Sequence, residues 1–207
     1  MPGPSAGTKV LMSFGAVDGG FEFAMQLRLD IYRKFGKSPD ADGSFCYLDA
    51  ESLRGAPGTG YKYNAVTDKN MMENKDWETL YNAAMASCRT IILLITRQWL
   101  TSKYCWMELD TLVGMAERKQ PMTTVIVLWP DAKGLLEQNS WQQRQDKATR
   151  SPGDFWKRIK SLKGGHVYAV SGANPIIGAV GAQVEPNKYA YSCSASERDI
   201  ILAKVVA

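Results

Sequence analysis

Two reactive side chains stand one helical turn apart in Ser102-Lys-Tyr-Cys-Trp-Met-Glu-Leu109: the thiol of Cys105 and the carboxylate of Glu108. They follow the apolar run Thr90-Ile-Ile-Leu-Leu-Ile-Thr96, which is short, β-branched and suited to a central parallel strand. Thr101 or Ser102 can cap the helix that begins next. Cys105, Leu109, Leu112, Val113 and Ala116 then fall on one face, with Glu108 at its edge. A fixed carboxylate there can stabilise positive charge growing on a ligand and can hold hydroxyl groups. It also lies just past a strand's carboxyl end, where open α/β sheets bind ligands. The other reading is a solvated Glu that complements the helix dipole. Cys105, with no histidine near it in sequence, reads as a buried structural thiol rather than a nucleophile.

Composition narrows the chemistry. The 207 residues suit one domain plus an extension, and a 45% hydrophobic content can fill a sizeable core. The formal charge of +4 comes from scattered Lys and Arg without a basic run, so nucleic-acid binding is not expected. The single histidine, His166, gives a His-based metal site or a Ser-His-Asp triad little to build on. Cys46, Cys88, Cys105 and Cys193 show no paired spacing, which points to free thiols in a reducing, cytoplasmic compartment. No apolar stretch reaches the roughly 18 residues of a membrane span. Residues 1–8 read as a disordered leader without a signal pattern.

The elements that must position Glu108 come from period and punctuation. Lys9 to Phe14 is a first strand, and Gly15 to Gly20 a Gly-rich loop matching neither a dinucleotide fingerprint nor a phosphate-binding loop. Phe23, Leu27, Ile31 and Phe35 mark a helix that stops at Gly36. Ser44 to Leu48 is a second strand. Leu53 to Asp76 is a long irregular loop carrying Tyr61 and Tyr63, of a length usually kept for function. Trp77 to Cys88 is a helix with Trp77, Leu80, Tyr81, Ala84 and Cys88 on one face. Met122 to Trp129 is a fourth strand, and Gly134 to Arg150 a marginal helix or loop. Ser151 opens a short helix ending at Leu162, with Phe155, Ile159 and Leu162 inward. Val167 to Val170 is a fifth strand, Asn174 to Asn187 has no period, and Ser194 to Glu197 caps a final helix reaching Val206.

Strands alternating with helices predict an α/β domain with one five-stranded parallel sheet and helices on both faces. Phe14, Gly15, Asp18, Asp49, the long loop, Trp99 and Glu108 would gather at the strands' carboxyl ends.

The segment order resembles a TIR (Toll/interleukin-1 receptor) domain. Met12-Ser-Phe-Gly15 followed by Asp18 is similar to the family's first box. Phe45 to Gly55 looks like its second strand and the start of its BB loop. Leu80 to Ile95 looks like the helix running into its third strand, and Ser102 to Leu109 resembles the Ser-x-Trp-Cys-x-x-Glu-Leu motif of plant and bacterial members. The likeness spans 9–171 and leaves 172–207 as a C-terminal extension. This chain departs from the family in having Gly15 where Arg often follows the aromatic, Tyr104 for the usual Trp, and an insertion between Gly55 and Trp77.

The resemblance implies a single flavodoxin-like (TIR) domain that cleaves NAD+ between nicotinamide and ribose, with Glu108 catalytic and NAD+ a substrate rather than a cofactor. Phe14, Gly15, Asp18, Asp49, Trp99 and Cys105 would then line the substrate site, with Trp77, Trp99 and Trp106 as candidate stacking platforms. It also implies self-association through about 53–76, a downstream receptor for a nucleotide signal, and a role in antiviral or other immune signalling. The alternative within the family is a non-catalytic adaptor acting through TIR–TIR contacts. A flavodoxin-like response or nucleotide-binding domain fits the strand pattern but lacks an acidic cluster or phosphate loop here.

Overall fold

Largely apolar strands are what make the sheet central. In the computed structural model, β1 (Val10–Phe14), β3 (Thr90–Ile95), β4 (Thr123–Leu128) and β7 (Gly165–Ala169) are five or six residues long, and β2 (Cys46–Tyr47) pairs at one edge. The order is β2-β1-β3-β4-β7, every pairing parallel. This is the flavodoxin-like order of an α/β domain. The structure describes residues 8–15, 20–39, 41–42, 45–47, 77–118, 122–162, 165–169, 173–175, 189–191 and 193–207. Asp18, Asp49 and the 53–76 loop expected near the site lie outside the described residues, as does the side chain of Trp77.

Alternation along the strands divides the core between the two faces. Leu11, Ile91, Leu93, Ile95, Ile126 and Leu128 point to one side. There they meet α2 (Trp77–Ser87), α3 (Arg97–Thr101), α4 (Lys103–Glu117), α5 (Pro130–Leu136) and α6 (Pro152–Ser161). Val10, Met12, Ile92, Leu94, Val125 and Val127 point to the other, against α1 (Gly20–Lys34) and the final helix, α7 (Ala195–Lys204). The helices α4, α6 and α7 open at side-chain caps. Ser102 accepts from the Cys105 N–H to open α4, and Ser151 and Ser194 open α6 and α7 with reciprocal capping boxes. Gly36 takes a φ of +60° just beyond α1, the left-handed position that glycine adopts without strain.

Three segments differ from expectation. Residues 134–150 begin with the end of α5 and then form an antiparallel hairpin, β5 (Trp141–Gln142) with β6 (Thr149–Arg150). The hairpin is held from outside: the Trp106 and Trp141 indoles both donate to the carbonyl of Leu100, at 2.8 and 2.9 Å. A short helix, α3, intervenes between β3 and α4, capped by Thr96. At the two ends of the 174–187 stretch, for which the sequence indicates no element, β8 (Ala173–Pro175) pairs antiparallel with β9 (Tyr189–Tyr191).

The helix at the end of 172–207 is built into the core. Ile201 and Val205 are buried against the sheet. The Thr90 hydroxyl donates to the Val206 carbonyl (2.7 Å) and accepts from the Val206 N–H (2.9 Å). Lys34 donates to the Leu202 and Val205 carbonyls, placing a cation where a helix C-terminus is negative. Arg198 pairs with Asp30 on α1 at 3.0 Å. Ile201→Ala is therefore expected to cost about 2–5 kcal/mol, as for other buried Ile truncations. Urea unfolding would show this as a lower midpoint with an unchanged slope.

Candidate active site

Ser13 is the one polar side chain in the row Leu11, Ser13 that β1 turns toward α4, and it is buried. Its hydroxyl donates to Oε2 of Glu108. Trp99, fully buried on α3, donates its indole N–H to the same serine oxygen at 2.8 Å. Glu108 is thus tethered through a two-bond chain from β3's exit helix, across the end of β1, to α4. The sequence grouped Trp99 with Glu108, and the structure brings them together through Ser13. It does so by burying the Trp99 ring against Phe155, with centroids 6.4 Å apart, instead of presenting it as a stacking surface.

Tyr81, on α2, closes the cluster from the far side. Its ring packs edge-on to Tyr47, centroids 6.1 Å apart. Its hydroxyl is buried and completes no hydrogen bond. Burial pushes the phenol well above its ordinary pKa, and the nearby charge of Glu108 pushes further in the same direction, while Ser13 pulls it down. The hydroxyl therefore sits within electrostatic reach of Ser13 and Glu108 without the geometry of a formed bond.

Cys105 lies one turn before Glu108 on the buried stripe, and its thiol reaches the Phe14 carbonyl at 3.7 Å. Burial raises its pKa well above the ordinary thiol value, and the Glu108 charge adds to that. A thiol so disfavoured as thiolate is a poor nucleophile. Cys46 and Cys88, also buried, are pushed up to about 12 by burial. All four cysteines are free.

Phe14 and Gly15 end β1 at the same place, in different ways. The Phe14 ring turns to the opposite face of the sheet and packs with the α1 side of the core, so only its carbonyl meets the Glu108 side. Gly15 is buried against Gln98. A Cβ added there would stand 2.7 Å from Gln98 Oε1 and 3.2 Å from Gln98 Cβ, so the glutamine carboxamide holds the space that a side chain at 15 would need. Trp106 is fully buried with two guanidiniums over its ring, Arg150 at 4.7 Å and Arg158 at 5.1 Å. A ring enclosed in this way presents no open face for stacking.

Ser13 and Tyr81 are the site residues that sequence reasoning missed. Ser13 was visible as a lone hydroxyl inside an otherwise apolar strand. Tyr81 looked like one more core aromatic on a helix stripe, and nothing in its spacing set it apart. Among the described residues, no group of three or more His, Cys, Asp or Glu could hold a metal ion, and no helix is long and apolar enough to cross a membrane.

Fold and site together define an open parallel α/β domain with one hydroxyl-tethered carboxylate at the carboxyl ends of its strands. The chain is similar to the 3' cyclic ADP-D-ribose synthase HopAM1 of Pseudomonas syringae pv. tomato (strain ATCC BAA-871 / DC3000), with 37% identity over 110 residues. That match spans 51% of this chain and 39% of the relative, so well under half of the relative's length is covered. No protein-family profile matches the chain, and no solved structure matches it.

The thiol environment gives a direct check. At pH 8, well below the raised pKa of the buried thiols, Cys105 stays protonated, so iodoacetamide should label it at least about ten-fold more slowly in the folded protein than in urea. Peptide mass mapping of the labelled protein would read the ratio; equal rates would place Cys105 at an open, activated position.

Proposed function

We propose that this chain is a TIR-type enzyme that cleaves NAD+ between nicotinamide and ribose, releasing nicotinamide with ADP-ribose or a cyclic ADP-ribose isomer. The observation that carries the reading is Glu108, a carboxylate tethered by Ser13 where an open α/β sheet binds its ligand. The similarity to a 3' cyclic ADP-D-ribose synthase supports the same chemistry.

Breaking the nicotinamide–ribose bond moves the bonding pair onto the pyridine nitrogen, so nicotinamide leaves neutral and needs no proton. Positive charge builds on the ribose as an oxocarbenium-like state. A carboxylate fixed beside that carbon stabilises the charge more as it grows than it does in the ground state, which is what lowers a barrier. A carboxylate in this position can also accept hydrogen bonds from ribose hydroxyls. Water attacking the same carbon gives ADP-ribose and one proton. A hydroxyl of the same molecule gives a cyclic isomer, again with loss of one proton, whereas a ring nitrogen attacks through its lone pair and takes the positive charge onto the adenine ring. One carboxylate and no histidine suffice for either route. Assembly through 53–76, a receptor for the product and a role in immune signalling belong to this same proposal.

The test is nicotinamide release from NAD+ by concentrated protein, followed by chromatography beside Glu108→Gln. Release by the wild type is expected to fall at least about a hundred-fold in the variant, the scale seen when one preorganised electrostatic group is removed. The co-product separates hydrolase from cyclase. If neither protein consumes NAD+, even when assembled, the chain is better read as a non-catalytic adaptor. Equal consumption by both would move the site away from Glu108.

A further inference from the structure

Resting on the reading of Glu108 as the substrate-facing carboxylate, we infer that Trp99, Ser13 and Tyr81 are positioning residues, a buried donor set that holds Glu108 for the reaction. Which atoms can give a proton and which can take one orders these contacts. An indole N–H only donates, so Ser13 Oγ must be the acceptor in its 2.8 Å contact with Trp99. A serine hydroxyl has one proton, and with that lone pair occupied it is directed at Glu108 Oε2. With Glu108 ionised, its oxygens can only accept, so the chain runs from Trp99 through Ser13 to Glu108.

Tyr81 adds the second donor. Its hydroxyl is sealed from solvent and has no partner in this state. A phenylalanine would make the same edge-on contact with Tyr47 without burying an unpaired O–H. Buried orphans of this kind are uncommon and call for an explanation. Ser13 and Glu108 both act on it, and of the two the carboxylate is the stronger acceptor. A small rotation would let Tyr81 donate to Glu108 when negative charge there matters most. Hydrogen bonds in active sites are often long in the free protein and tighten only in the reacting complex.

The other titratable or charged groups around this cluster, among the described residues, are few. Cys105 shares α4 with Glu108, and Arg144 of the β5–β6 hairpin acts on Cys105. Asp110 and Arg158, on α4 and α6, are paired with each other at 2.5 Å.

The experiment compares wild type, Tyr81→Phe, Ser13→Ala and Ser13→Thr by three readouts: thermal unfolding, NAD+ cleavage, and titration of the Glu108 carboxyl by carbon NMR with labelled glutamate. Tyr81→Phe is expected to unfold at the same or a higher temperature. Its kcat should fall about ten-fold, with KM changed less than about two-fold, the pattern of an interaction made in the transition state. Ser13→Ala should lose more, and Ser13→Thr, which keeps the hydroxyl, should recover most of it. In Ser13→Ala the Glu108 midpoint should rise by about one pH unit, since a donor to the charged form is lost. A folded Tyr81→Phe with unchanged kcat would remove Tyr81 from the set. An unchanged Glu108 midpoint in Ser13→Ala would overturn the donor chain. If the wild type releases no nicotinamide, the NAD+ reading fails, and the titration still decides whether these donors act on Glu108.

Discussion

A parallel sheet leaves no face for water, and this constraint shapes everything around Glu108. Crossover connections return each strand in the same direction and lay helices on both sides. All carboxyl ends of the strands therefore open at one rim. β1 ends there with Ser13 and Phe14, β3 runs into α3, and α4 starts from the same level. Alternation along β1 then decides the roles: Ser13 faces α4, and Phe14 faces α1. A register slip by one residue would exchange them, putting an aromatic ring against Glu108 and a hydroxyl into the opposite core.

The sheet and most helices were legible because their signals are local. Unbroken β-branched runs specify central strands, and four-residue apolar spacing specifies one-sided helices. The burial of Phe23, Leu27 and Ile31 on α1, and of Cys105, Leu109 and Leu112 on α4, follows that spacing directly. The β5–β6 hairpin was not legible, because its strands are two residues long and its main attachment is nonlocal. Trp141 reaches back 41 residues to a carbonyl that the short helix α3 leaves open. No periodicity encodes such a bond. The final helix had a clear capping box, but its place in the core depends on contacts with α1 and Thr90 far away in sequence.

The candidate site divides in the same way. Glu108 was visible from its motif, because one helix carries the motif whole. Its tether was not, because Ser13 and Trp99 come from two other elements that only the folded sheet brings together. Trp99 shows the limit most clearly. Its position at the rim suggested a surface for a ligand ring, but its burial turns it into a donor acting through a serine. Exposure is a property of the whole fold and cannot be read from the residue's neighbours in sequence.

The indole of Trp99 gives this arrangement an optical consequence. An excited indole shifts charge from its pyrrole toward its benzene ring, so its emission responds to nearby charge and to the partner of its N–H. Trp99 has one hydroxyl between its N–H and a carboxylate, and no water around its ring. It is therefore built as an internal dye for the state of Glu108. Trp106, Trp129 and Trp141, buried elsewhere in the core, would supply a steady background against which its changes in colour and intensity stand out.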